Sequence, residues 1–307
     1  MHDLTRLGWV HLTVGDLERS LSFYEGTLGL RPVWRGSGCV AVGAQDEAGG
    51  PRALVLLSHQ PGARPKPPGC RGLYHFALLL PTRRQLAEAV ARLVRSGWPI
   101  DGAADHWVSE AVYLSDPDGH GIELYADRPR AQWPRRGESI LMTTDPLDFD
   151  GLMAELAPGE EAGPLMPAGT RLGHIHLQVS RVERAERFYR DALGLDLVLR
   201  FGPSARFFAA GGYHHHVGAN TWAGIDAPPP PPDCVQLRHF SFVVPSTDDV
   251  QAVARRLERA GVGVEPLERL EDEVLQAAAL SGASTQAGFV TRDEDGHAIA
   301  VVSEANP

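Results

Sequence analysis

The chain is written twice, and that duplication limits its fold more than any other feature. GWVHLTVGDLERSLSFYEGTLGL begins at Gly8 and GHIHLQVSRVERAERFYRDALGL begins at Gly173, aligned without a gap. His11 matches His176, Phe23 and Tyr24 match Phe188 and Tyr189, and the closing Leu-Gly-Leu is common to both. A second pair follows in order, LYHFALLLP at Leu73 and LRHFSFVVP at Leu237. A third closes the copies, DPDGHGIELY at Asp116 and DEDGHAIAVV at Asp293. Three ordered matches mean that one structural unit recurs and that its faces must be buried against copies of itself.

Period-2 alternation marks the opening segments as strands. Val10, Leu12 and Val14 share one face and Trp9, His11 and Thr13 the other; in the second copy Ile175, Leu177 and Val179 lie opposite His174, His176, Gln178 and Ser180. LERSLSFYEGTLG and VERAERFYRDALG then carry apolar residues at helical spacing and stop at Gly29 and Gly194. Further strands follow: CVAVG and RALVLLS in one copy, RFFAAG and YHHHVGA in the other. The recurring module is β-α-β-β-β, and each copy holds two, joined by the proline-rich connectors QPGARPKPPG and DAPPPPPD. The expected class is α+β: four βαβββ modules paired into two half-open barrels. Module one pairs with module two in a domain of residues 1–130, and module three with module four in residues 171–307. Residues 131–170 read as a linker with one short helix around Phe149 to Leu156.

A length of 307 residues suits two such domains. The net charge of -10, with no basic cluster interleaved with aromatics, argues against nucleic acid or an anionic membrane as partner. Cys39, Cys70 and Cys234 are odd in number and lie outside any CxxC pattern, so neither a disulfide framework nor a structural zinc knuckle is expected, and a cytoplasmic location fits. No export signal or membrane-spanning run is read. Self-association is compatible with exposed sheet edges.

The chemistry-bearing residues concentrate in the first copy. His11 stands on the first strand of module one and His75 on the first strand of module two. Glu123 stands on that module's last strand, on the face shared by Gly121 and Tyr125. If the two modules are related by a pseudo-two-fold axis, both histidines and the acid meet in one cavity. An ionised carboxylate there needs a cation. Two imidazoles and one carboxylate on one face of an octahedron leave three positions open, the arrangement of non-heme Fe(II) oxygen chemistry; Mn(II) is the alternative.

At these residues the chain resembles the vicinal oxygen chelate superfamily, which includes glyoxalases, bleomycin resistance proteins and extradiol dioxygenases. Its closest resemblance within that group is to two-domain proteins like catechol 2,3-dioxygenase. GWVHLTVGDLERSLSFYEGTLGL, GLYHFALLLP, DHWVSEAVYLSDPDGHGIELYADRP and GGYHHHVGANTW carry the likeness. The resemblance implies ring opening of a catechol-type aromatic by O2 at the metal. It also implies a tyrosine ten residues before the carboxylate ligand, which is Tyr113, with His106 and His59 as further candidates for proton transfer or substrate contact. In the family the acid/base histidine belongs to the run that here is Tyr213, His214, His215, His216. The second copy departs from the pattern, because Ala300 stands where Glu123 stands in the first. Whether His176, His215 and His239 form a second site stays open. Two other readings use the same scaffold: a glyoxalase-like metal-dependent isomerase or lyase, and a non-catalytic protein that sequesters a small molecule.

Overall fold

The computed structural model describes residues 1–137 and 139–305. All four modules fold as β-α-β-β-β. Module one comprises Arg6–Val14, helix Leu17–Gly26, Arg31–Arg35, Cys39–Gln45 and Pro51–His59. Module two comprises Gly72–Leu79, helix Arg83–Ser96, Gly102–Asp105, Ser109–Ser115 and Gly121–Asp127. In module three, strand Arg171–Gln178 is followed by a helix over Val182–Ala185 that continues as a wider π turn over Glu186–Ala192. Strands Asp196–Phe201, Ala205–Ala209 and Val217–Asn220 complete it. Module four runs from Leu237–Val244 through helix Thr247–Arg259 to Val264–Pro266, Ala283–Arg292 and Ala298–Glu304, and inserts an extra helix, Asp272–Ala279.

Local chemistry sets these boundaries. Asp16, Thr82 and Ser246 each precede a helix in extended conformation, and each side chain accepts a hydrogen bond from a first-turn backbone N–H, at Arg19, Gln85 and Asp249. Gly97 ends its helix at φ 68°, a left-handed position that a side chain would strain.

The modules pair differently from the sequence expectation. One eight-stranded sheet joins module four to module one, and the other joins module three to module two. Within a module the first and last strands run parallel; between modules the two first strands pair antiparallel. Arg6–Val14 therefore lies against Leu237–Val244 with His11 opposite His239, and Gly72–Leu79 against Arg171–Gln178 with His75 opposite His176. The division into half-barrels at residues 1–130 and 171–307 does not hold, because each curled sheet takes one module from each copy. Alternation fixes which face of a strand is buried; it carries no information on which of three modules of the same pattern lies alongside.

The stretch from 131 to 170 is also more than a connection. Its helix Phe149–Met153 lies beside the module-two helix, where Arg83 donates to the Gly151 carbonyl and Arg92 to those of Gly163 and Leu165. Its residues Met142, Thr143 and Thr144 reach the cavity described next. Among the described residues no helix is long and apolar enough to cross a membrane.

Candidate metal centre

The concave face of the sheet from modules two and three gathers the titratable side chains. Glu123, on the central strand Gly121–Asp127, is 2% exposed. Its Oε2 lies 3.0 Å from Nε2 of His174 and 3.0 Å from Nε2 of His75. His174 makes a hydrogen bond to that oxygen. His75 approaches equally closely at an angle that is no hydrogen bond, so its buried Nε2 has no partner. These three residues form the group among the described residues whose ligand atoms lie within 4.8 Å of one another as a metal site requires.

The charge balance points the same way. Burial pushes the Glu123 carboxyl upward, but the facing His174 and then His75 rings outweigh it and hold the group well below the usual carboxylate range. Burial pushes His174 down to about 4, against the opposing pull of Glu123, so its ring is uncharged at neutral pH. A buried carboxylate beside the uncharged His174 ring leaves negative charge uncompensated, and orphaned ring nitrogens supply lone pairs. That donor set fits a divalent transition metal.

Around the triad lies a cavity with about 200 Å3 open to the centres of water-sized spheres. Tyr113 and His106 line it from module two. His106 Nδ1 donates to the Thr143 carbonyl (2.6 Å), which leaves its Nε2 bare to accept the Tyr113 O–H at 2.7 Å. Burial and then the Glu123 charge push the Tyr113 phenol well above its ordinary range, so it remains a hydroxyl. Its hydrogen is committed to His106 and its oxygen is free to accept. His176, one pleat on from His174, also faces the cavity, and its buried Nε2 lacks a partner. Gly218 makes room for it: a Cβ there would come within 2.8 Å of the His176 ring.

The Tyr213–His216 run does not form a strand. It occupies the turn before Val217–Asn220 and places His214 and His215 in the cavity wall, with the His215 ring 4.1 Å from that of His174.

The structure thus brings together His75, Glu123, Tyr113 and His106 of the residues expected from sequence. It places His11 and His59 elsewhere. His11 belongs to the other sheet, where its nitrogens are already used. Trp9 Nε1–H donates to His239 Nε2 (2.9 Å), His239 Nδ1 faces His11 Nδ1 at 3.3 Å, and His11 Nε2 contacts Ser58 Oγ at 2.8 Å. Trp9 occupies there the position of His174, Ala300 that of Glu123, and Val290 that of Tyr113. The inserted helix packs Val274, Ala277 and Ala278 into the same core as Trp9 and Ala300. No carboxylate partners these histidines, and burial, followed by Arg238 and Arg292, holds His239 down to about 3. His59, at the exposed end of its strand, contacts the Gly15 carbonyl at 3.2 Å. The second site left open for His176, His215 and His239 is not assembled, since His239 belongs to the other sheet.

Sequence reasoning named His174 only as a strand-face residue. The signal that finds it is a difference between the copies: GWVH against GHIH puts Trp9 opposite His174, as ELY against AVV puts Glu123 opposite Ala300.

The Glyoxalase/Bleomycin resistance protein/Dioxygenase superfamily model matches residues 6–124 and 171–301, most of the chain and all four modules. The chain belongs to this superfamily. Within it, the chain is 44% identical over 280 residues to the catechol-2,3-dioxygenase of Bacillus subtilis (strain 168), covering 89% of this chain and 96% of that one. It is 26% identical over 118 residues to the biphenyl-2,3-diol 1,2-dioxygenase 2 of Rhodococcus globerulus, covering 38% of this chain and 60% of the relative. This superfamily member is therefore a dioxygenase-type enzyme by descent. The fold recurs in glyoxalase I from Zea mays at a TM-score of 0.57 and 16% identity, covering 97% and 92% of the two chains. It also recurs in a Bacillus subtilis structure provisionally described as a dioxygenase, at 0.61 and 15%, covering 98% and 86%.

Proposed function

We propose that this superfamily member is an extradiol ring-cleaving dioxygenase acting on a catechol-type aromatic with O2, its metal held by His75, Glu123 and His174. The carrying observation is the buried Glu123 carboxylate with two imidazole nitrogens 3.0 Å from one of its oxygens. Fe(II), or alternatively Mn(II), bound by those three would offer open positions to both catechol oxygens and to O2 and a path for electrons between them. The chain's own residues do the rest. The Tyr113 oxygen, its hydrogen committed to His106, accepts a hydrogen bond from a substrate hydroxyl. His215, across the cavity, is placed to take a catechol proton. Phe207 and Leu199 line the apolar wall of the same cavity and limit water around the ring.

A glyoxalase-like isomerase would add a fourth protein ligand, an acid from the last strand of the partner module. That strand is Val217–Asn220, and Gly218 stands opposite His176 with no side chain at all. The test of the leading reading is O2 uptake. Anaerobically Fe(II)-loaded protein mixed with catechols should consume O2 and form a yellow product, and a chelator should abolish both. Catechol binding without O2 uptake would support sequestration instead.

The cavity also constrains the ring substituents. Among the described residues no Lys or Arg lines it, and its mouth is formed by aromatic side chains left exposed, Trp222 at 49%, Phe201 at 42% and Tyr74 at 41%. The expected substrate is uncharged apart from its hydroxyls and carries an apolar substituent if any. A ring carboxylate would be desolvated in this cavity with no Lys or Arg to pair it, costing about 3 kcal/mol, or about 100-fold. Steady-state kcat/KM for methylcatechols should exceed that for catechols bearing a carboxylate by roughly this factor; equal values would contradict the apolar reading.

A further inference from the structure

The cavity histidine His215 is one end of a hydrogen-bonded chain that leaves the cavity and runs to a carboxylate at the end of the module-two strand. His215 Nδ1 lies 2.8 Å from His214 Nδ1, and His214 Nε2 lies 2.9 Å from Oδ1 of Asp127. The other Asp127 oxygen accepts the Tyr213 O–H at 2.9 Å, and Tyr213 in turn faces the Tyr125 hydroxyl at 2.8 Å. Gly173 permits this last contact, because a Cβ there would sit 1.8 Å from the Tyr125 hydroxyl oxygen. His214 and the two tyrosines are buried, and the Asp127 side chain that joins them is 21% exposed.

With one proton on each imidazole, the direction of every bond follows from one fact: a carboxylate only accepts. His214 must present its proton to Asp127 from Nε2. Its Nδ1 is then a bare lone pair and can be satisfied only by an Nδ1–H on His215. With its hydrogen on Nδ1, His215 carries its free lone pair on Nε2.

We propose that Asp127 and His214 are positioning residues that fix the tautomer of His215, so that its Nε2 stands unprotonated toward the cavity to receive the proton of a catechol hydroxyl. The inference rests on the dioxygenase reading for its chemistry but not for its structure. In the step concerned, the Nε2 lone pair forms the new N–H bond, the substrate O–H bond breaks, and its electron pair stays on the catecholate oxygen. Among the described residues the other sheet has no such relay: there the chain from Trp9 through His239 and His11 ends on Ser58.

Replacing Asp127 by Asn keeps the shape and turns an NH2 toward His214, which reverses the relay and moves the His215 proton to Nε2. The wrong histidine tautomer costs a triad hydrolase about 10,000-fold; here kcat should fall by at least about 100-fold with KM within about threefold. The direct readout is 15N-histidine NMR of the Zn(II)-loaded, full-length protein, with the His215 resonances assigned by their loss in His215→Gln. Wild type should show a protonated Nδ1 and a bare Nε2 on His215, Asp127→Asn the reverse, and His214→Phe a mixture. A wild-type His215 protonated on Nε2, or the same tautomer in Asp127→Asn, would overturn the proposal. If the tautomers behave as stated but no catechol is turned over, the relay stands and the dioxygenase reading falls.

Discussion

His174→Ala should strip the protein of its metal, whereas His11→Ala should leave the metal in place. His174 contributes a nitrogen 3.0 Å from Glu123 Oε2, and its loss leaves the carboxylate with one imidazole instead of two. Loss of a residue that merely orients a ligand costs about 10- to 100-fold in metal affinity, so loss of a ligand should cost at least about 100-fold. Metal content after dialysis, by elemental analysis, is expected near one ion per chain for wild type and near zero for His174→Ala. His11→Ala breaks only the contacts to His239 and Ser58 on the other sheet and should retain a full complement. The opposite ranking would move the metal to the other half-barrel.

The second large effect concerns the silent half. Ala300→Glu recreates on that sheet the acid that Glu123 supplies on the first. It should nevertheless destabilise the protein rather than give it a second metal. Ala300 is 0% exposed and packs in one cluster with Trp9, Val274 and Ala278, so a longer side chain must displace packed neighbours. The nitrogens it would need are engaged, with His239 Nε2 accepting from Trp9. An unpaired acid forced into such a core costs about 3 kcal/mol or more, whether it stays charged or takes up a proton. For a domain of this size that corresponds to a fall in Tm on the order of 10 °C. Thermal unfolding with and without added Fe(II) or Mn(II) checks it. Unchanged Tm, or a second equivalent of bound metal, would show that the closed half-barrel is adaptable after all.

These two substitutions also mark what the sequence could disclose. The module pattern was legible because period-2 strands, capped helices and glycine stops are local signals, and all four modules fold as their residues indicate. Their pairing was not. His11 and His239 face each other for the same reason that His75 and His176 do: each sits at the same station of a first strand, and any two modules brought together antiparallel would align them. Glu123 and His75 were recognisable from their stations on strand faces, and Tyr113 and His106 from the family resemblance. His174, unlike His176, has no identical residue in the first copy to mark it, and identity between copies reports shared scaffold as readily as shared chemistry. In a duplicated chain with one silent half, the differences carry the functional signal: Glu123 against Ala300, His174 against Trp9, Tyr113 against Val290. The linker's part in the cavity, through Met142, Thr143 and Thr144, had no sequence signature, because a loop that lines a pocket needs only to be in reach of it.

Anomalous diffraction from crystals of the metal-loaded protein, collected at the iron edge or, for the manganese form, the manganese edge, tests the central claim most directly. One strong peak per chain is expected, lying between the facing nitrogens of His75 and His174 and the carboxylate of Glu123. A peak beside His11 and His239, or none within reach of Glu123, would contradict it.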